Sequence, residues 1–536
     1  VSHLEYQHYP LERSNLPPHW RVTSLGEVAL DVQPGFASGK HNKEGAGIPH
    51  IRPMNIDRLG RIDLSDVKYV APETHTHRLG KGDVLFNNTN SPELIGKTAA
   101  ITLEENWGFS NHMTRLRLPE GVDHRFVAHQ LHFLWMTGYF LHRCVHHVNQ
   151  ASLSSTALAE TVPLLLASFN EQCSIVAKIE ELFSDLDAGV ATLERLRANL
   201  KRYRAAVLKA AIDGKLTEDW RAQHPDTEPA SVLLKRLQGE QQGFLLPVSN
   251  GEMRNSRRSS RLAGSHSFDQ HHQIETELPS GWALARLDQI CKEIVDCPHS
   301  TPKWTDKGIA CVRTTEFRPG RLLLDQVRYV SESTYQARIA RLKPQPEDIL
   351  YSREGGILGI ACIVPPGIRL CLGQRMMLMR ATVSSRYLMH VLNSPQLLSL
   401  VAKLTGGSAS PHLNVGDVKA FPIPFPPYAE QLAIVQEIES RLSIVDEVEA
   451  QVEANLKRAA RLRQGILKRA FEGRLVPQDP TDEPGSRLLK RVREGLESYA
   501  QGDIGTASKR PRQTRRGPQT RPIHAMDNPD GERREA

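Results

Sequence analysis

The chain is 536 residues long, 39% hydrophobic and 24% charged, with a formal net charge of +7. That length calls for more than one core, and the composition excludes a disordered or fibrous chain. The longest apolar run, around Thr161–Phe169, is too short to cross a bilayer, so no membrane segment is expected.

Before that run, the first residues carry Glu5, His8, Glu12 and Arg13 rather than an apolar block, so a cytoplasmic location is expected. The seven cysteines (Cys144, Cys173, Cys291, Cys297, Cys311, Cys362 and Cys371) form no C-x-x-C pair, which argues against a disulfide framework and a zinc site. The net charge says little about the folded part. Lys509, Arg510, Arg512, Arg515, Arg516 and Arg521 stand in one acid-free stretch, a solvated arm by composition.

Taken in chain order, the elements recur. Leu16-Pro17-Pro18-His19-Trp20 returns as Leu278-Pro279-Ser280-Gly281-Trp282, Val67–Val70 as Val327–Val330, and Gly82–Phe86 as Glu347–Tyr351. Glu171-Gln172, Ile175-Val176 and Ile179-Glu180 then align without a gap with Glu430-Gln431, Ile434-Val435 and Ile438-Glu439, as far as Leu208–Leu216 beside Leu467–Leu475. A shorter echo follows in Glu228–Leu237 and Glu483–Val492. Self-similarity at this period means two copies of one unit.

Within each copy the front reads as mixed α+β: "VKYVAP", "DVLFNN" and "KTAAITL" alternate with Gly, Pro and Asn, and a helix is expected at Arg125–Val148. The back reads as a long helix. Ile175, Ile179, Leu182, Leu186, Leu193, Leu196, Leu200, Tyr203 and Val207 recur at three- and four-residue steps, as do Ile434, Ile438, Leu442, Val445, Val452, Leu456, Leu462 and Ile466. Gly214 and Gly473 supply the stops. Two stripes of matching length predict an antiparallel coiled coil. The domain plan is an N-terminal extension (1–15), a first domain (16–162), a spacer-helix region (163–237), a flexible connector (238–277), a second domain (278–421), a second spacer-helix region (422–492) and a basic tail (493–536).

This arrangement resembles the DNA-specificity subunits of type I restriction-modification systems. The resemblance runs from about Leu16 to Val492 and is carried by Phe421–Val435 ("FPIPFPPYAEQLAIV"), Ser408–Val418 ("SASPHLNVGDV") and "LKRAFEGRL". The first copy departs from it, keeping only Pro163 of the proline motif and reading "NQASLSSTAL" for the Gly-Ser segment. The resemblance implies two target-recognition domains in tandem, each followed by a long α-helix. Each domain would read one half of a bipartite, asymmetric site on double-stranded DNA. It also implies two methyltransferase subunits and two restriction/translocase subunits as partners, with S-adenosylmethionine, ATP and magnesium held there and no cofactor, metal or catalytic residue in this chain. The alternative is a coiled-coil adaptor whose domains bind protein.

Base edges are read by Arg or Lys on guanine and by Asn or Gln on adenine. Candidates at matching loop positions are Asn87 and Asn88 beside Ser352 and Arg353, Asn111 and His112 beside Gln374 and Arg375, Arg52 beside Arg313, and Gln150 with Ser152 beside Ser408, Ser410 and His412. Other motifs are weaker. "LIGKT" at Leu94–Thr98 has Ser91 where a phosphate-binding loop needs glycine, so a turn into a strand is expected. His129, His132, His142, His146 and His147 read as a histidine-rich helical surface rather than a metal site.

Overall fold

The computed structural model describes Leu4 and residues 6–71, 78–104, 106–148, 150–243, 277–406 and 411–506. Most of the expected connector and basic tail lies outside these residues. Within them, a helix at Ala230–Gly243 occupies the start of the connector, and a helix at Gly485–Thr506 runs into the expected tail. The chain forms two compact units, Val1–Gly189 with Arg458–Ala536, and Val190–Lys457.

The first unit holds the first head. Its main sheet runs in the order Asp31–Pro34, Met113–Arg117, Val84–Asn87, Thr98–Ala100, all antiparallel. A second sheet sets Lys68–Val70 antiparallel and Gly108–Phe109 parallel to Ile48–Ile51. Val84, Leu85 and Phe86 are all fully buried, so this central strand has no solvent face and reads as a continuous apolar run. Pro163–Leu166 pairs with Arg21–Ser24 and closes the head, so the proline-containing segment that opens the expected spacer region is a strand of the head.

The helix expected at Arg125–Val148 spans only His124–Met136. Asp123 caps it by accepting from the Arg125 and Phe126 amides, and Gly138, at φ 79°, takes the left-handed turn that ends it. His132 is buried, while His142 closes a 3-10 turn and His146 lies in a short strand, so the histidines do not share one helical surface.

The second unit repeats the plan. Cys291–Asp296, Met376–Ala381, Ile349–Ser352 and Ala361–Ile363 form the main sheet in the same order. The second sheet, Arg328–Val330, Ile309–Val312 and Leu370–Leu372, keeps the parallel pair and gains Trp304–Thr305 at its edge. Ala283–Arg286 pairs with Pro422–Phe425.

The long helices span Phe169–Ile212 and Tyr428–Phe471, 44 residues each, with Gly214 and Gly473 at φ 71° and 68° just beyond. In the first unit, Ile175, Val176, Ile179 and Phe183 pack with Leu467, Ala470 and Phe471, and further along Arg463 pairs with Asp187. Residue numbers rise along one helix as they fall along the other, so the pair is antiparallel. In the second unit, Val207, Leu208, Ala211 and Ile212 share a core with Ile434, Val435, Ile438 and Leu442, and Arg204 pairs with Asp446 and Glu449. The apolar stripe read from the sequence is not buried throughout: Leu196, Tyr203 and Leu462 are exposed.

Each head is completed by the other copy's tail. The Gly485 amide donates to the His19 carbonyl at 2.9 Å, and Leu488 and Val492 enter the first head's core. Likewise the Ala230 amide donates to the Gly281 carbonyl at 2.9 Å in the second unit, where Ala230 and Leu237 are buried. Among the described residues, no helix is long and apolar enough to cross a membrane.

Candidate nucleic-acid interface

The residues that fasten each head to its long helix are the same in both copies. Glu171 accepts the Trp20 indole N–H at 2.9 Å, and Glu430 accepts that of Trp282 at 2.9 Å. The glutamines beside them span two elements at once. The Gln172 carbonyl accepts the Asp123 amide at 2.9 Å while its amide donates to the Ala167 carbonyl, and Gln431 does the same with Ser384 and Pro426. All four side chains are buried, so the recurring Glu-Gln pair is a polar anchor, in which both Glu430 oxygens are bonded and Glu171 Oε1 is left without a partner. Within each head, Arg117 forks onto Asp83 and Arg380 onto Asp348, every contact at 2.8 or 2.9 Å.

At the end of the central strand this common frame presents unlike side chains. In the first head, the Asn88 amide donates to the His112 carbonyl at 3.0 Å, and the Leu153 amide donates to the Asn88 carbonyl at 2.9 Å. In the second, Arg353 donates to Arg375 at 3.0 Å and accepts from Leu413 at 2.9 Å. Ser152 pairs with Thr89 where His412 pairs with Glu354. The main chain therefore brings Asn88, Asn111, His112, Gln150 and Ser152 to one face of the first head, and Arg353, Gln374, Arg375 and His412 to the matching face of the second.

The side chains on these faces divide by burial. Asn111 and Gln150 are exposed and His112 is half-buried, while the half-buried Ser152 hydroxyl lies 3.1 Å from His147 Nε2. Arg375 and His412 are exposed, and the half-buried Gln374 donates to the His299 carbonyl. Arg375 sits at φ 69°, a left-handed conformation that is unfavourable for a residue with a Cβ and that here holds its guanidinium on the exposed face.

The rest are held by partners within the head, with Arg52 and Arg313 half-buried. Asn87 is fully buried and donates to the Leu94 carbonyl at 2.8 Å, and Asn88 donates to Thr114 Oγ1 at 2.9 Å. Ser352 Oγ accepts the Ile360 amide at 2.9 Å. Arg353 forks onto Asp296 at 2.8 Å and donates to the Leu413 carbonyl at 3.0 Å. Arg52 donates to the Asp66 carbonyl at 3.0 Å, and Arg313 pairs with the buried Glu316. Ser408 and Ser410 lie outside the described residues. The sequence reading overlooked Asp296, Asp66 and His299. Only Glu316 has a visible cue, the Arg-x-x-Glu spacing that lets its carboxylate accept the Arg313 amide at 2.6 Å.

Lys97 of "LIGKT" is buried and donates to the Pro53 carbonyl at 3.2 Å, and a strand begins at Thr98, so the segment is the expected turn into a strand. Burial pushes its ammonium pKa down. Burial also pushes His50, His129, His132 and His390 down to about 4, so these imidazoles are neutral at neutral pH. Among the described residues, no group of three or more His, Cys, Asp or Glu could hold a metal ion.

No family model matches the chain. Among curated proteins, it is similar to the type I restriction enzyme EcoKI specificity subunit of Escherichia coli strain K12, 24% identical over 502 residues, covering 88% of this chain and 93% of that protein. It is also similar to the EcoBI specificity subunit of Escherichia coli, 26% identical and covering 87% of this chain and 88% of the relative. Among solved structures, a chain from a study of complex assembly and conformational transition of the type I R-M system matches with a TM-score of 0.53 at 18% identity, covering 87% of this chain and all of that one. That likeness is one of fold: two mixed α/β heads, each followed by a long helix.

Proposed function

We propose that the chain, similar over most of its length to type I restriction-modification specificity subunits, is such a subunit, the non-catalytic reader of a two-part, asymmetric site on double-stranded DNA. Its first head takes one half of the site and its second head the other. One observation carries this reading: the main-chain hydrogen bonds around Asn88, His112 and Leu153 recur around Arg353, Arg375 and Leu413, while the side chains they present differ. One frame with unlike side chains is what two readers of different sequences need, because Asn and Gln suit adenine and Arg suits guanine in the major groove.

The exposed candidates Asn111, Gln150, Arg375 and His412, with the half-buried His112, Ser152 and Gln374 beside them, are the proposed DNA contacts. Asn87, Asn88, Ser352, Arg353, Arg52 and Arg313 position the loops that carry them. The 44-residue helices, at about 1.5 Å per residue, are each about 66 Å long, against about 34 Å for one DNA turn. They serve as the ruler across unread base pairs and as the frame on which two methyltransferase and two restriction/translocase subunits assemble in the cytoplasm. S-adenosylmethionine, ATP and magnesium belong to those partners.

Co-expressing the chain with its methyltransferase subunit in a host free of such systems, then sequencing for methylated bases, tests the reading. A methylated motif in two parts, absent when either gene is omitted, is expected. Methylation independent of this chain, or none despite a stable complex, would favour the adaptor.

A further inference from the structure

The first head carries a feature that base-reading polar groups do not explain. Val145–His146 pairs antiparallel with Ala151–Ser152, and Ala151–Ser152 pairs with Thr89–Asn90 immediately after Asn88, so a two-stranded ribbon extends from the face that presents His112. The His147 amide donates to the Gln150 carbonyl at 2.7 Å and tightens its turn. The ribbon's aliphatic side chains face water: Val145 is 63% and Val148 98% exposed. These two valines give the polar face an aliphatic tip.

Position and charge identify the partner. The ribbon continues the face proposed to read DNA, and its described residues, 145–148 and 150–152, include no Asp or Glu. An acid-free extension of that face suits a polyanion. The major groove of B-DNA admits a two-stranded ribbon, and its one aliphatic group is the 5-methyl of thymine. We propose that this ribbon enters the major groove of the first half-site, with Val148 packed on a thymine 5-methyl group and Gln150 beside it. In the second copy, Gly406–Pro411 has no branched aliphatic residue, so the contact belongs to the first head alone.

This inference rests on the DNA-reading role proposed above, and its test separates the two. The full chain, assembled with its methyltransferase subunits, selects duplexes from a pool with a randomised stretch, and each thymine of the enriched first half-site is then replaced by deoxyuridine. Loss of one methyl group should weaken wild-type binding roughly three- to fivefold at one position. Val148→Ala should bind the thymine and deoxyuridine duplexes alike, with the rest of the motif unchanged, and the exposure of Val148 leaves folding intact. A first half-site without thymine, a wild type indifferent to every methyl group, or a Val148→Ala variant as sensitive as wild type would overturn the ribbon contact and leave DNA reading standing. Enrichment of no motif by the wild type would remove both.

Discussion

Arg353 shows how a residue can look like a base reader in the sequence and serve as a support in the fold. Its side chain is 7% exposed, forked onto Asp296 and bonded to the main chain of the loop that carries His412. Arg353→Met should therefore destabilise the second head by about 1–3 kcal/mol, because it leaves the half-buried Asp296 with only His299 beside it and the Leu413 carbonyl without its donor. Arg375→Ala should leave stability nearly unchanged while weakening DNA binding. Chemical denaturation of both variants checks this, and equal stability would contradict it. The histidines give a second expectation. His50, His129 and His132 are held near pKa 4 in the first unit, against about 6.5 in an unfolded chain. The unfolded state therefore takes up protons that the native state refuses, so stability is complete above about pH 6.5 and falls as pH drops toward 4. Urea midpoints between about pH 7 and pH 5 should show this slope, and His132→Asn should flatten it.

At the scale of elements, the recurring glycines were legible because the positions they occupy demand them. Gly473, at φ 68°, would place a Cβ 2.3 Å from Pro17 Cγ, and Gly214 one 2.4 Å from Pro279 Cγ. Each glycine closes one copy's helix against the proline that opens the other copy's head. Gly473→Ala should cost about 1–3 kcal/mol. Gly189→Ala, inside a helix and with nothing within 4 Å, should stabilise by about 0.5–1 kcal/mol. Thermal unfolding of the two variants decides, and shifts of the same sign would contradict the packing. The ends of the long helices were readable from their period and stops. The exposure of Leu196, Tyr203 and Leu462 was not, because a three-four spacing reports a helical face without saying what covers it. For the same reason, "VPLLL" read as the start of a spacer although backbone pairing makes it a strand. Reading-face residues were legible as positions, through the alignment of the two copies, but not as orientations. Asn87 and Asn111 look alike in sequence, and only the fold buries one and exposes the other.

In the whole molecule, each unit draws on both copies of the repeat. Leu488 and Val492, at the far end of the chain, complete the core that contains Leu25, Leu164 and Leu166. Truncation after Val476 should thus raise amide hydrogen exchange in the first head, remote in sequence, and leave the second head protected. The opposite pattern would contradict this exchange of tails. The central claim is that the frame is common to both heads and the choice of bases is local to each. Replacing residues 16–162 by a second copy of 278–421 and sequencing the methylated sites tests it most directly. The account predicts a motif in which the second head's half-site occurs twice and the first head's half-site is gone, while an unchanged motif would contradict it.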